Sequence, residues 1–183
     1  MNDVFDFKKL AVLTLLLAIF PFLNFDDDYQ GAIHLSVGFI YALILLFSLR
    51  SRPSFALSYL SVVVLGLANI FIHFSAFPLI FLPEDIGRLL MLPWVSAFGG
   101  FLTAFILSKL WKLHLNINNY LLIAGLVFCA GIFSQLIIYL LLDTESFRGL
   151  WIAVNASPWV CAFSFGLYRI YRNKSIEDVF KTS

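Results

Sequence analysis

Two histidines, a few acidic residues and several uncharged polar groups set within apolar segments are the chemistry this chain offers. His34 and His73, with Glu84 or Asp85 nearby, have the residue types of a two-histidine, one-carboxylate metal site. Their spacing does not favour one, because no pair stands at the i, i+4 separation that puts two imidazoles on one helix face. Both are expected to be interfacial hydrogen-bonders, with no metal and no cofactor. Ser75 lies two residues from His73, but a nucleophile needs a base within reach and a third group to orient that base. No G-x-S-x-G elbow occurs. Cys129 and Cys161 fall in two different apolar stretches, where a thiolate is poorly stabilised, and they form no C-x-x-C pair. No catalytic residue is assigned.

The uncharged polar residues are more suggestive. Asn69, Ser96, Gln135 and Asn155 come from four different apolar segments. At a helical rise of about 1.5 Å per residue, each lies roughly 10–12 Å below the same end of its segment. His34 and His73 lie shallower, at roughly 5 Å by that rise. Amides and hydroxyls at one depth on several helices suit a shared cavity. The alternative is ordinary interhelical hydrogen bonding, worth about 0.6 kcal/mol per contact. Two tryptophans stand beside this layer, each after a proline. "LPWVSAFGGFL" (Leu92–Leu102) and "SPWVCAFSFGL" (Ser157–Leu167) share Pro-Trp-Val-x-Ala-Phe at an offset of 65 residues. Pro93 withdraws the donor that would reach the Leu89 carbonyl, and Pro158 the donor for Val154. In lipid such a freed carbonyl needs a helix, a water or a ligand. The expected ligand-binding set is therefore Asn69, Ser96, Gln135, Asn155, His34, His73, Trp94 and Trp159.

The composition dictates what positions these groups. Of 183 residues, 61% are hydrophobic and 13% charged, against about a quarter charged in soluble domains. A single soluble core of this size cannot hide so much apolar surface. Six apolar segments are read at 10–25, 31–49, 55–77, 89–107, 120–142 and 149–168, of lengths that suit spanning helices rather than the short alternating strands of a membrane barrel. The first follows Lys8 and Lys9 and resembles a secretion signal, but no small-residue cleavage pattern follows it, and it is read as a retained helix. The expected fold is an all-α integral membrane protein, a single transmembrane domain of six helices with no soluble domain.

The charges orient it. If six helices alternate, Lys8, Lys9, Arg50, Arg52, Lys109, Lys112, Arg169, Arg172, Lys174 and Lys181 share one side, leaving only Arg88 and Arg148 opposite. Asp26, Asp27, Asp28, Glu84, Asp85, Asp143 and Glu145 gather on that other side. Basic loops stay in the cytoplasm, so both termini are expected there, in the inner membrane of a bacterium. The polar layer then lies in the outer half, and His114 on the cytoplasmic side cannot join His34 and His73. A net charge of +1 offers no stripe to neutralise phosphates, so nucleic acid is not a partner. No phosphate loop, dinucleotide fingerprint or EF-hand occurs.

The 65-residue offset also aligns Phe55 with Tyr120 and Gly66 with Gly131. It suggests a two-helix hairpin used twice, as in transporters built from parallel repeats. Small residues form stripes at helical spacing: Ser96, Gly100 and Ala104 in the fourth segment, Gly125 and Cys129 in the fifth, Ala153, Ser157 and Cys161 in the sixth. Such spacing lets helices approach closely, within the chain or against a membrane-protein partner. Three functions stay open. The chain binds or transports a small molecule through an outward-facing polar cavity. Alternatively it is a non-catalytic subunit, assembly factor or immunity-type interaction protein of a larger membrane system. The third option is an intramembrane enzyme using His34 or His73 near the outer surface.

Overall fold

The computed structural model describes residues 4–20, 30–50, 53–75, 77–141 and 150–172. It is all-helical, with six helices: α1 (Phe7–Ile19), α2 (Gln30–Ser48), α3 (Phe55–Phe74), α4 (Glu84–Leu110), α5 (Ile117–Leu141) and α6 (Leu150–Tyr171). A 3-10 turn, Phe77–Phe81, precedes α4. Among the described residues no strand forms, only a single bridge between Phe5 and Leu49.

Helix starts differ from the hydropathy reading because polar caps extend them. Asp6 accepts the Lys9 N–H at 3.2 Å, so α1 begins at Phe7 rather than Leu10. Asn116 Oδ1 accepts the Asn119 N–H at 2.9 Å and starts α5 at Ile117, ahead of Tyr120. Pro83, with φ −49°, caps α4, and its carbonyl accepts the Gly87 N–H at 2.8 Å. A proline is pre-organised for a helix start and lacks only a donor the first turn does not use. Past the end of α4, Lys112 takes a left-handed φ of 52°, reversing the chain toward α5.

Consecutive helices pack side by side, and α6 closes the ring on α1 while also touching α2 and α4. The start of α1 and the ends of α2 and α6 meet at one end. There Asp6 N–H donates to the Ser48 carbonyl at 2.7 Å, Arg50 N–H to the Val4 carbonyl at 3.1 Å, and the Phe5 and Tyr171 rings lie 5.8 Å apart. The start of α3 is pinned to the end of α4 by Trp111 Nε1, which donates to Ser61 Oγ at 2.7 Å. The start of α5 is pinned by Tyr120, which donates to Ser108 Oγ at 2.6 Å. Lys8, Lys9, Arg50, Lys109, Lys112, Arg169 and Arg172 therefore occupy one end of the bundle.

Two helical stretches, Leu89–Leu110 and Ile117–Leu140, are long and apolar enough to cross a membrane, with mean hydropathy 1.8 and 2.4. The second is buried over only 22% of its apolar window; Leu121, Phe133, Leu136 and Leu140 all face outward. A core helix of a water-soluble fold would turn such residues inward and charges outward.

Glycines set the closest helix approaches. A Cβ on Gly131 of α5 would lie 2.7 Å from Pro93 Cα and 2.8 Å from Ser96 Oγ, so α5 rests directly on the proline turn of α4. One on Gly100 would strike Val127. The stripe Ser96–Gly100–Ala104 thus serves the α4–α5 contact within the chain. Gly125 behaves differently, with nothing within 4 Å of its added Cβ, and Cys129 one turn on is exposed.

Candidate ligand cavity

Inside the ring, between α2, α3, α4 and α6, lies a cavity of about 70 Å³. One water needs about 10–15 Å³ on this measure, so the space suits a few waters or a very small solute. Drug-sized pockets run to roughly 300–1,000 Å³. Much of the wall is aliphatic, including Leu45, Leu65, Ile72, Val95 and Val160; its polar positions are Tyr41, Asn69, Ser96, Thr103 and Trp159. None of the lining residues carries a charge.

Asn69, Trp159 and Tyr41 are held by specific packing arrangements. Gly38 of α2 stands where any Cβ would come within 2.8 Å of Asn69 Cβ and 2.9 Å of its Nδ2, so the missing side chain is what lets the α3 amide sit between the helices. Trp159 Nε1 of α6 donates to the Ser96 carbonyl of α4 at 3.3 Å across the bundle. Its ring stacks on Phe163 at 5.3 Å and meets Tyr41 edge-on at 5.7 Å. The Tyr41 hydroxyl lies 2.8 Å from Ser164 Oγ, and Ser164 Oγ 2.9 Å from Thr14 Oγ1. This buried hydroxyl chain ties α1, α2 and α6 together behind the cavity. Hydration lost by these groups is replaced by mutual hydrogen bonds, which buried polar groups require.

Three of the expected ligand-binding residues, Asn69, Ser96 and Trp159, share the cavity. Gln135 sits half-buried on α5 and is not among its lining residues. Trp94 is 48% exposed, and its Nε1 donates to the Ser75 carbonyl at 2.9 Å, closing the end of α3. The side chains of His34, His73 and Asn155 lie outside the described residues. Ser75 Oγ donates to the Ile72 carbonyl at 2.6 Å, a local helix-end bond. Among the described residues, no three His, Cys, Asp or Glu side chains converge as a metal site would need.

The carbonyl freed by Pro158 does not await a ligand. Ser134 of α5 donates to the Val154 carbonyl at 2.7 Å while also reaching the Ala130 carbonyl at 3.0 Å. Ser157 likewise donates to the Ala18 carbonyl at 2.6 Å, in the last turn of α1. The two Pro-Trp phrases meet unequal surroundings: Phe98 is 39% exposed, whereas Phe163, at the matching position, is wholly buried.

Tyr41, Thr103, Ser164 and the spacer Gly38 belong to the site or its support, although none of them stands out in the polar layer of the sequence. A lone tyrosine at mid-helix in α2 was the available signal; the serine and threonine hydroxyls look like any others until the helices are assembled. In chemical terms the described lining residues offer an amide, hydroxyls and aromatic faces. No family model, curated protein or solved structure matches the chain.

Proposed function

We propose that the chain is a six-helix membrane protein, a single transmembrane domain with both termini in the cytoplasm, that binds a small uncharged polar solute in its interhelical cavity during passage. One observation carries this: four helices converge Asn69, Ser96, Thr103, Tyr41 and Trp159 on one internal space with no charged wall. A charge placed there would lose hydration without a counter-ion, at prohibitive cost. A neutral donor–acceptor solute would trade water for the amide and hydroxyls. The outward apolar surface of α5 and the basic residues gathered at one bundle end support the membrane setting and its orientation, with the inner membrane of a bacterium as the proposed location. Access is proposed from the outer side, where Ser96 of the cavity lies two residues from Trp94 and its contact with the end of α3. The duplicated hairpin enters only as an origin for the Pro-Trp phrases, whose surroundings assign them different work.

The test is to purify the protein in mild detergent and identify small molecules released on denaturation by mass spectrometry. Asn69→Leu should retain the protein's unfolding midpoint within a few degrees and lose the released compound. A compound retained in full by Asn69→Leu and by Gly38→Leu would place it elsewhere. A second reading, a non-catalytic subunit or assembly factor, draws on Gly125 and Cys129 facing outward from α5 instead of into the bundle. A stoichiometric protein partner crosslinked through a photoreactive residue at Gly125 would favour it. The intramembrane enzyme alternative gains no support from the described residues.

A further inference from the structure

A second and larger concavity lies on the outside of the ring, where α1 meets α6. Its volume is about 480 Å³. Its apolar lining comes from Phe7, Leu10, Ala11 and Leu15 of α1 and Phe165 and Tyr168 of α6. Thr14 and Ser164 are at its floor, but their hydroxyls are 2.9 Å apart, bonded to each other, and so present little unmet polarity to an occupant. From Phe7 to Leu15 the cleft runs about 12 Å along the helix, by the rise per residue.

The charge lies at one end only. Lys8 lines the cleft, and the Arg172 guanidinium stands over the Tyr168 ring at 5.8 Å. Tyr168 in turn packs edge-on against Phe7 at 5.3 Å, so Arg172 stands one ring away from the end of the cleft that Lys8 lines. Arg169 is in the same last turn of α6. The nearest acid in sequence, Asp6, accepts the Lys9 backbone N–H at the helix cap, and the Lys9 ammonium is turned toward Phe47 of α2. An apolar furrow on a helix pair, closed at its cytoplasmic end by cations, has the chemistry of an acyl chain followed by a phosphate.

We propose that the α1–α6 cleft binds one anionic phospholipid from the inner leaflet, an acyl chain along Leu10 and Leu15 and the headgroup phosphate at Lys8 and Arg172. This rests on the membrane setting proposed above. Each basic residue near an anionic lipid surface is worth about a fivefold gain in binding, so removal of both should be read as a loss of about twenty-fivefold.

The experiment uses the full chain released into detergent and titrated by native mass spectrometry with phosphatidylglycerol or phosphatidylcholine of identical acyl chains. The first phosphatidylglycerol should bind at least tenfold tighter than phosphatidylcholine. Lys8→Gln with Arg172→Gln should abolish that preference, and Lys8→Arg with Arg172→Lys should keep it. Ala11→Trp, which fills the cleft from an exposed position on α1, should remove the tight adduct while leaving the unfolding midpoint in phosphatidylcholine unchanged. Equal affinity for both lipids, or wild-type binding by Ala11→Trp, overturns the proposal. Alkaline carbonate extraction of cell membranes separates this from the reading beneath it. A chain released into the supernatant overturns the membrane setting and the lipid site together, whereas a retained chain without lipid preference overturns the lipid site alone.

Discussion

Ser134 shows how this helical bundle accommodates a proline. Pro158 cannot donate to Val154, and the hydroxyl of Ser134 supplies the missing bond at 2.7 Å from the neighbouring helix. Ser134→Ala should therefore cost about 1 kcal/mol, the range for interhelical bonds and buried unpaired carbonyls. The loss should largely disappear in a Pro158→Ala background, because that substitution restores a backbone N–H aimed at the same carbonyl. Reversible unfolding in mixed micelles followed by circular dichroism measures the cycle; additive losses would mean the two residues act separately. The same scale explains the cavity. Gly38 and Asn69 form a pair in which one residue's missing side chain is the space occupied by the other. Gly38→Ala should displace the amide and weaken ligand retention with a smaller effect on folding than a core truncation.

Among the elements, α5 has the most distinct two-sided character. One side bears Gly131 and Val127 against α4; the other exposes Gly125, Cys129 and a run of large apolar residues. Gly131→Ala should destabilise by about 1–3 kcal/mol, since its Cβ would meet the Pro93 backbone at 2.7 Å and overpacking against main chain has no side chain to yield. Gly125→Ala meets nothing and should be neutral or gain up to about 1 kcal/mol from helix propensity. Unfolding of the two variants side by side in the same micelles makes the comparison; equal losses would remove the distinction between the two faces. Element boundaries follow local chemistry in the same way. Asp6 and Asn116 start helices before apolar character becomes dense, because a side-chain cap acts on backbone donors and hydropathy does not register it.

For the whole molecule, the alternating helices place Lys8, Arg50, Lys112 and Arg172 at one end, and the topology prediction belongs here. In a background without Cys129 and Cys161, single cysteines at Asp27, Glu84 and Thr144 should react with an impermeant thiol reagent in whole cells. Cysteines at Ser51 and Asn116 should react only after permeabilisation. The reverse pattern, or labelling of both sets, would reject six spans with cytoplasmic termini.

The helical class and the six helices among the described residues were legible in the amino-acid order, because apolar runs mark each segment; the starts of α1, α4 and α5 were not, because hydropathy does not register the residues that begin a helix. Asn69, Ser96 and Trp159 stand out in the sequence within apolar runs, and all three line the cavity. Which polar residues meet became visible only with the helices packed. Gln135 shares its distance from a segment end with Asn69 in the sequence. Yet α5 packs on α4 with Gly131 against Pro93, while Ile72 of α3 reaches Gly99, so the two amides stand at different levels of the bundle and Gln135 does not line the cavity. Likewise, two identical Pro-Trp steps came to differ: Trp94 closes the end of α3, while Trp159 bridges to α4 beside Tyr41. Helix rotation and neighbour identity are set by long-range packing, through glycines such as Gly38 and Gly131 whose partners lie on other helices. No local pattern encodes them.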